Sequence, residues 1–126
     1  MRVAVLSDIH GVLPALEAVL AEPEVAAAEL IVLTGDMAAG PMPVETLDLL
    51  VSLGERALWV SGNADRELVE AVRGKTSEYA VSQWAAEQLR DDQVVLLAGL
   101  PEREVVELGR LGETLFVHAT PRMTRT

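Results

Sequence analysis

The sequence predicts an α/β fold, a mixed sheet with a parallel centre and flanking helices. Three observations carry that expectation. Short apolar runs at residues 2–7, 30–34 and 57–61 have the length and β-branched content of buried strands. Between them lie apolar residues at helical spacing, so strand, helix and strand repeat as βαβ units whose strands run parallel. Each run also closes on a glycine or a ligand-type polar residue: Ser7-Asp8-Ile9-His10-Gly11, Gly35-Asp36 and Gly62-Asn63-Ala64-Asp65.

Taken in order, residues 2–7 read as a strand buried on both faces. Gly11 permits a turn and Pro14 suits an early helix position. Leu13, Leu16, Val19 and Leu20 form the first inward stripe, and Pro23 ends or interrupts that helix. Leu30 to Thr34 is the second strand. After a loop punctuated by Gly40, Pro41 and Pro43, a helix is expected over 44–53, with Val44, Leu47, Leu50 and Val51 inward and Gly54 as its stop. Ala57 to Ser61 is the third strand. A helix over 65–73 follows, stopped by Gly74. Ser77 is a candidate cap for the next helix, with Val81, Trp84, Ala85 and Leu89 inward, and both tryptophans are assigned to the core. Val94 to Leu97 fits either a strand or a buried half-helix, because periodicity cannot decide over so short a run. Glu104–Leu108 and Thr114–His118 flank Gly109-Arg110-Leu111-Gly112 as a β-hairpin.

Composition bounds the function. The chain of 126 residues is one domain's worth, half of it apolar. A net charge of −10 argues against a nucleic-acid surface, which needs clustered Lys and Arg, and suits a site that concentrates cations. With no cysteine, any metal must be held by oxygen and imidazole, which points to Mn, Fe, Mg, Ni or Zn outside a thiolate site. No apolar run approaches the ~20 residues of a membrane span. Met1-Arg2 leads straight into a strand rather than a signal peptide, so the expected location is cytoplasmic.

Ligand sites in open α/β sheets lie beyond the carboxyl ends of the strands. Asp8, His10, Asp36 and Asn63 should therefore converge there, with His118 arriving from the hairpin. Two carboxylates, two imidazoles and an amide oxygen make a divalent-metal donor set. Two ions roughly 3.5–4 Å apart need a carboxylate between them, and Asp36, central in order, is the natural bridge.

These segments, with Val117-His118-Ala119-Thr120-Pro121, resemble the successive motifs of the calcineurin-like metallophosphoesterases, most closely a small bacterial phosphodiesterase branch. Leu13-Pro14-Ala15-Leu16-Glu17-Ala18 and Gly40-Pro41 are similar to that family's surroundings. The resemblance implies the N-terminal half of a four-layer αββα sandwich, as one metallophosphoesterase domain over 1–126 that lacks a later Gly-His-x-His segment. It implies Asp8 and His10 on a first metal, Asp36 bridging, and Asn63 and His118 on a second. The substrate would be a small phosphoester, more readily a diester, attacked by a bridging hydroxide, with Asn63 helping to place the phosphate and Arg122 a candidate partner for a phosphate oxygen. Many relatives carry a histidine after the asparagine as a proton donor, and here that position is Ala64. Losing a general acid costs about 10²–10⁴-fold, which tilts the expected substrates toward activated diesters.

Each motif alone has a plainer reading. Gly35-Asp36 and Gly62-Asn63 are ordinary turn dipeptides, and Asp65 suits a helix cap better than a ligand. Four turns ending in ligand-type residues at one sheet edge outweigh those readings. Gly74-Lys75-Thr76 mimics a phosphate loop, but Val69 stands where the earlier glycine is required. With only four aromatics the chain has no base-stacking platform. A sheet face left uncovered by a missing second half should drive association into a homo-oligomer. The rival readings are a degenerate, non-catalytic domain that binds metal or a partner, and a nucleotide-binding α/β domain without metal dependence.

Overall fold

The computed structural model describes residues 2–75 and 79–118. Three parallel strands, β1 (Val3–Leu6), β2 (Leu30–Leu33) and β3 (Ala57–Trp59), form one sheet in the order β1-β2-β3. Val3 faces Leu30 and Ile31 faces Ala57 in the two registers. The central strand is the most apolar, and Ile31, Val32 and Leu33 are fully buried. The expectation that β1 is covered on both faces is wrong. Among the described residues it is an edge strand, and Val5 is 54% exposed. A run of apolar residues cannot by itself distinguish an edge from a centre.

Helix α1 (Leu13–Ala21) carries proline in its first turn, and Leu16 is its one fully buried residue. Val19, expected inward, is 37% exposed. Pro23 ends α1 and opens a short helix, α2 (Pro23–Ala26). Helix α3 (Pro43–Val51) starts on a proline whose missing N–H costs nothing there. Leu47 and Leu50 are buried as expected, but Val51 faces solvent. Gly54 does not simply stop the chain; it opens a 3₁₀ turn over Gly54–Arg56.

Helix α4 (Asn63–Val72) begins two residues earlier than the sequence predicts, because Asp65 caps it from inside the first turn. Its partner α5 (Ala80–Gln88) turns Ser82, Ala85 and Ala86 inward. Val81 and Trp84, assigned inward from the sequence, are about half exposed, whereas Trp59 packs against the core. Small residues let α5 lie close to α4, so the bulky ones are turned out. The proposed Ser77 cap lies outside the described residues.

The ambiguous stretch at 94–97 is helical, within α6 (Asp91–Ala98). Arg90 fastens the start of α6 to α3: its guanidinium donates to both Asp48 carboxylate oxygens, at 2.7 and 3.0 Å, and to Asp92 at 3.0 Å. Those hydrogen bonds hold Asp48 and Asp92 below the usual carboxylate range. The hairpin is present as β4 (Arg103–Glu107) and β5 (Glu113–Val117), antiparallel, with Arg103 opposite Val117. Among the described residues it forms a sheet of its own rather than extending the parallel one. Its last step delivers His118.

Candidate metal centre

The loops after β1 and β2 are laced together by backbone. Asp8 N–H donates to the Gly35 carbonyl at 3.1 Å, His10 N–H to the Asp36 carbonyl at 2.9 Å, and Gly11 N–H to the Met37 carbonyl at 2.8 Å. Asp8, His10 and Asp36 all sit in the left-handed region, with φ of 56°, 49° and 59°. L side chains adopt it at a cost. The loops therefore reverse sharply and turn three polar side chains to the same rim.

Gly35 is required twice. Its φ is +106°, and a Cβ there would lie 2.6 Å from Gly62 Cα and 2.9 Å from His118 Nδ1. Its bare backbone is what lets the β3 loop and the His118 ring close on the β2 loop. A Cβ on Gly62 would likewise collide with the Asp36 carboxylate, and one on Gly40 with the His10 carbonyl.

The histidine tautomers follow from backbone acceptors. His10 Nδ1 lies 3.2 Å from the Ala39 carbonyl oxygen and His118 Nδ1 2.8 Å from that of Thr34. A carbonyl only accepts, so each Nδ1 bears the proton and donates. In the neutral rings both Nε2 lone pairs are then turned to the carboxylates, the arrangement of a histidine held to ligate through Nε2. His10 Nε2 is 3.6 Å from Asp8 Oδ1 and 3.8 Å from Asp36 Oδ2; His118 Nε2 is 3.1 Å from that same Asp36 oxygen.

A neutral imidazole nitrogen facing a carboxylate oxygen sets two electron pairs against each other. Only a proton or a cation between them makes the contact favourable. Two donors bound at about 2.1 Å to one ion stand no more than about 4.2 Å apart. The spacings from His10 to Asp8 and from His10 to Asp36 satisfy that limit, and the ligand atoms of all three residues lie within 4.8 Å of one another. The donor set fits a divalent ion.

Asp36 is held hardest. It is 6% exposed, its Oδ1 accepts the Ala64 N–H at 2.9 Å, and its own N–H donates to Asp65 Oδ2 at 2.9 Å. Asp65 is fully buried and accepts three backbone donors, from Asp36, Met37 and Gly62. The sequence reading gave it the cap alone; the structure adds a tie between the β2 and β3 loops. Burial pushes its carboxyl above the usual range, and the three N–H donors pull the other way.

Asn63 opens α4 and lines one cavity with His10 and Asp36. Thus Asp8, His10, Asp36 and His118 meet at one rim, with Asn63 at its side. Arg122 and Ala119-Thr120-Pro121 lie outside the described residues. The Ala39 and Thr34 carbonyls, which orient both imidazoles, have no side-chain signature and could not be read from the sequence.

The chain is similar to known proteins in family and in fold. The family model described as calcineurin-like phosphoesterase matches residues 1–122. No curated protein matches the chain. Among solved structures, a metallophosphoesterase from Sphaerobacter thermophilus superposes with a TM-score of 0.69 at 32% identity, over 84% of this chain and 43% of its own. A hypothetical protein from Pyrococcus horikoshii superposes at 0.76 with 22% identity, over 90% of this chain and 52% of its own, a likeness of fold. The chain spans about half the length of these relatives.

Proposed function

The chain belongs to the calcineurin-like phosphoesterase family, and from that premise we propose that it carries a dinuclear divalent-metal centre for phosphoester hydrolysis, diesters before monoesters. The observation that supports this most is Asp36: one carboxylate oxygen faces both His10 Nε2 and His118 Nε2. A carboxylate between two imidazoles is placed to serve two ions. Asp8 and His10 would hold one and Asn63 and His118 the other, with Asp36 shared. Divalent ions bound there supply a polarised phosphoryl oxygen and a hydroxide nucleophile near neutral pH.

The chain's own residues orient the reaction. The Ala39 and Thr34 carbonyls fix the two imidazoles, and Asn63 helps seat the phosphate, with Arg122 a candidate for a further phosphate oxygen. We propose that additional ligands, of the Gly-His-x-His kind, come from outside these 126 residues, so the isolated chain binds metal weakly. Manganese is the proposed metal and the cytoplasm the proposed location. Incubation with Mn²⁺ and bis(p-nitrophenyl) phosphate, an activated diester suited to a site with Ala64 in place of a proton donor, should release p-nitrophenol and stop on chelation. Metal uptake without turnover would favour the non-catalytic alternative instead.

Association of copies is a further part of this reading. Among the described residues nothing pairs with the outer edge of β1. Val5, Val12 and Val19, all more than a third exposed, line a groove of about 430 Å³ beside it. Free strand edges next to apolar surface invite pairing. Sedimentation should give a dimer or larger species, and Val5→Lys should shift it toward monomer. A monomer at micromolar wild-type protein would refute the association.

A further inference from the structure

A cleft of about 290 Å³ opens between the start of α4 and the start of α5, and His10, Asp36 and Asn63 form its inner wall. It lies near the lower limit of roughly 300 Å³ for small-molecule pockets. Its remaining walls are of a different kind. Ala39 and Ala64 are buried methyl groups that give the cleft depth. Tyr79 and Val81 stand at its mouth, 59% and 48% exposed. An aromatic face and a branched aliphatic side chain beside a phosphate-type site are surfaces for another flat apolar group.

Charge decides what that group is. No Lys or Arg is among the described residues lining the cleft, and the only charged side chain there beyond the inner wall is Glu67. Glu67 lies one turn beyond Asn63 on α4, hence on the same helix face. A second phosphate or a carboxylate entering here would meet Glu67, with no cationic side chain among the described lining residues to neutralise it.

We infer that this cleft seats an uncharged aromatic ester group of the substrate, gripped by Tyr79 and Val81 and screened against anionic groups by Glu67. The inference rests on the metal-centre reading for where the phosphoryl group sits, and it names the substrate class of that same site: phosphoesters with one neutral, ring-bearing alcohol.

Phenylphosphonate and methylphosphonate share one head group and differ in what would enter the cleft. In Mn²⁺, isothermal titration should show phenylphosphonate binding at least about tenfold tighter, the scale of a few buried apolar carbons. Val81→Trp, which fills the cleft, and Tyr79→Ser, which removes the ring, should each bring the affinity ratio near one. Both residues are well exposed, so the fold should tolerate either change. Equal affinities in the wild type, binding of neither compound, or a ratio unmoved in both variants would overturn the inference. A ratio that behaves as stated in a chain that hydrolyses no diester would support the cleft and sink the hydrolase reading; turnover without the preference would do the reverse.

Discussion

Replacing Asp36 by Asn is expected to weaken divalent-metal binding by more than about a hundredfold, beyond the upper end of what losing a mere supporting partner costs. The substitution keeps shape and backbone preference, since Asn tolerates φ near +59° at least as well as Asp. Its amide oxygen must still accept the Ala64 N–H, which Asp36 Oδ1 now accepts. The amide nitrogen is then forced to the other position, where Oδ2 lies 3.1 Å from His118 Nε2 and 3.8 Å from His10 Nε2. An NH₂ group there can ligate nothing. Thermal stability should change little while calorimetric Mn²⁺ uptake collapses. Unaltered uptake would mean that Asp36 is not the shared ligand. Asp8, with its side chain 59% exposed and accepting a hydrogen bond from Ser7 Oγ at 3.0 Å, should matter less when changed in the same way.

Asp65→Ala is expected to produce the largest loss of stability, about 4 kcal/mol. Three backbone N–H groups lose the carboxylate that accepts them, and each buried orphan costs about 1–3 kcal/mol before water enters the space. For a domain of this size that corresponds to a fall in Tm on the order of 15 °C. Asp65→Asn, which keeps one accepting oxygen, should fall between the two. The pH dependence has a definite sign. The Asp65 carboxyl is raised in the folded state by burial, so folding favours its neutral form. Its contribution is full below about pH 3.9 and declines as pH rises through the raised folded value. Urea midpoints of wild type and Asp65→Asn should therefore converge with rising pH over that window. A constant gap would contradict the buried-carboxyl account.

The rim of the site was legible because chemistry and geometry coincide in the motifs. A glycine that must bend, as Gly35 does, stands next to the acid it turns, and both leave a mark in the sequence. Main-chain partners leave none. The Thr34 and Ala39 carbonyls act through position alone, and Asp65 looks like any N-terminal helix acid until the β2 loop is folded over it. Burial was misjudged for a related reason. Val5, Val81 and Trp84 are apolar, and apolarity says that a residue can be buried, not that a neighbour arrives to bury it. In α5 the inward face is made by Ala85, as the pattern expected, together with Ser82 and Ala86, whose small size carries little weight in a hydrophobic pattern.

The left-handed conformations at positions 8, 10 and 36 have an evolutionary edge. Each holds the protein about 1–2 kcal/mol above what glycine would allow locally. A laboratory selection for heat resistance alone should draw glycine into positions 8 and 10 and erase those donors, whereas Asp36 is kept by the buried Ala64 N–H it accepts. A selection that also demands metal capture should leave all three untouched and find its gains elsewhere in the chain.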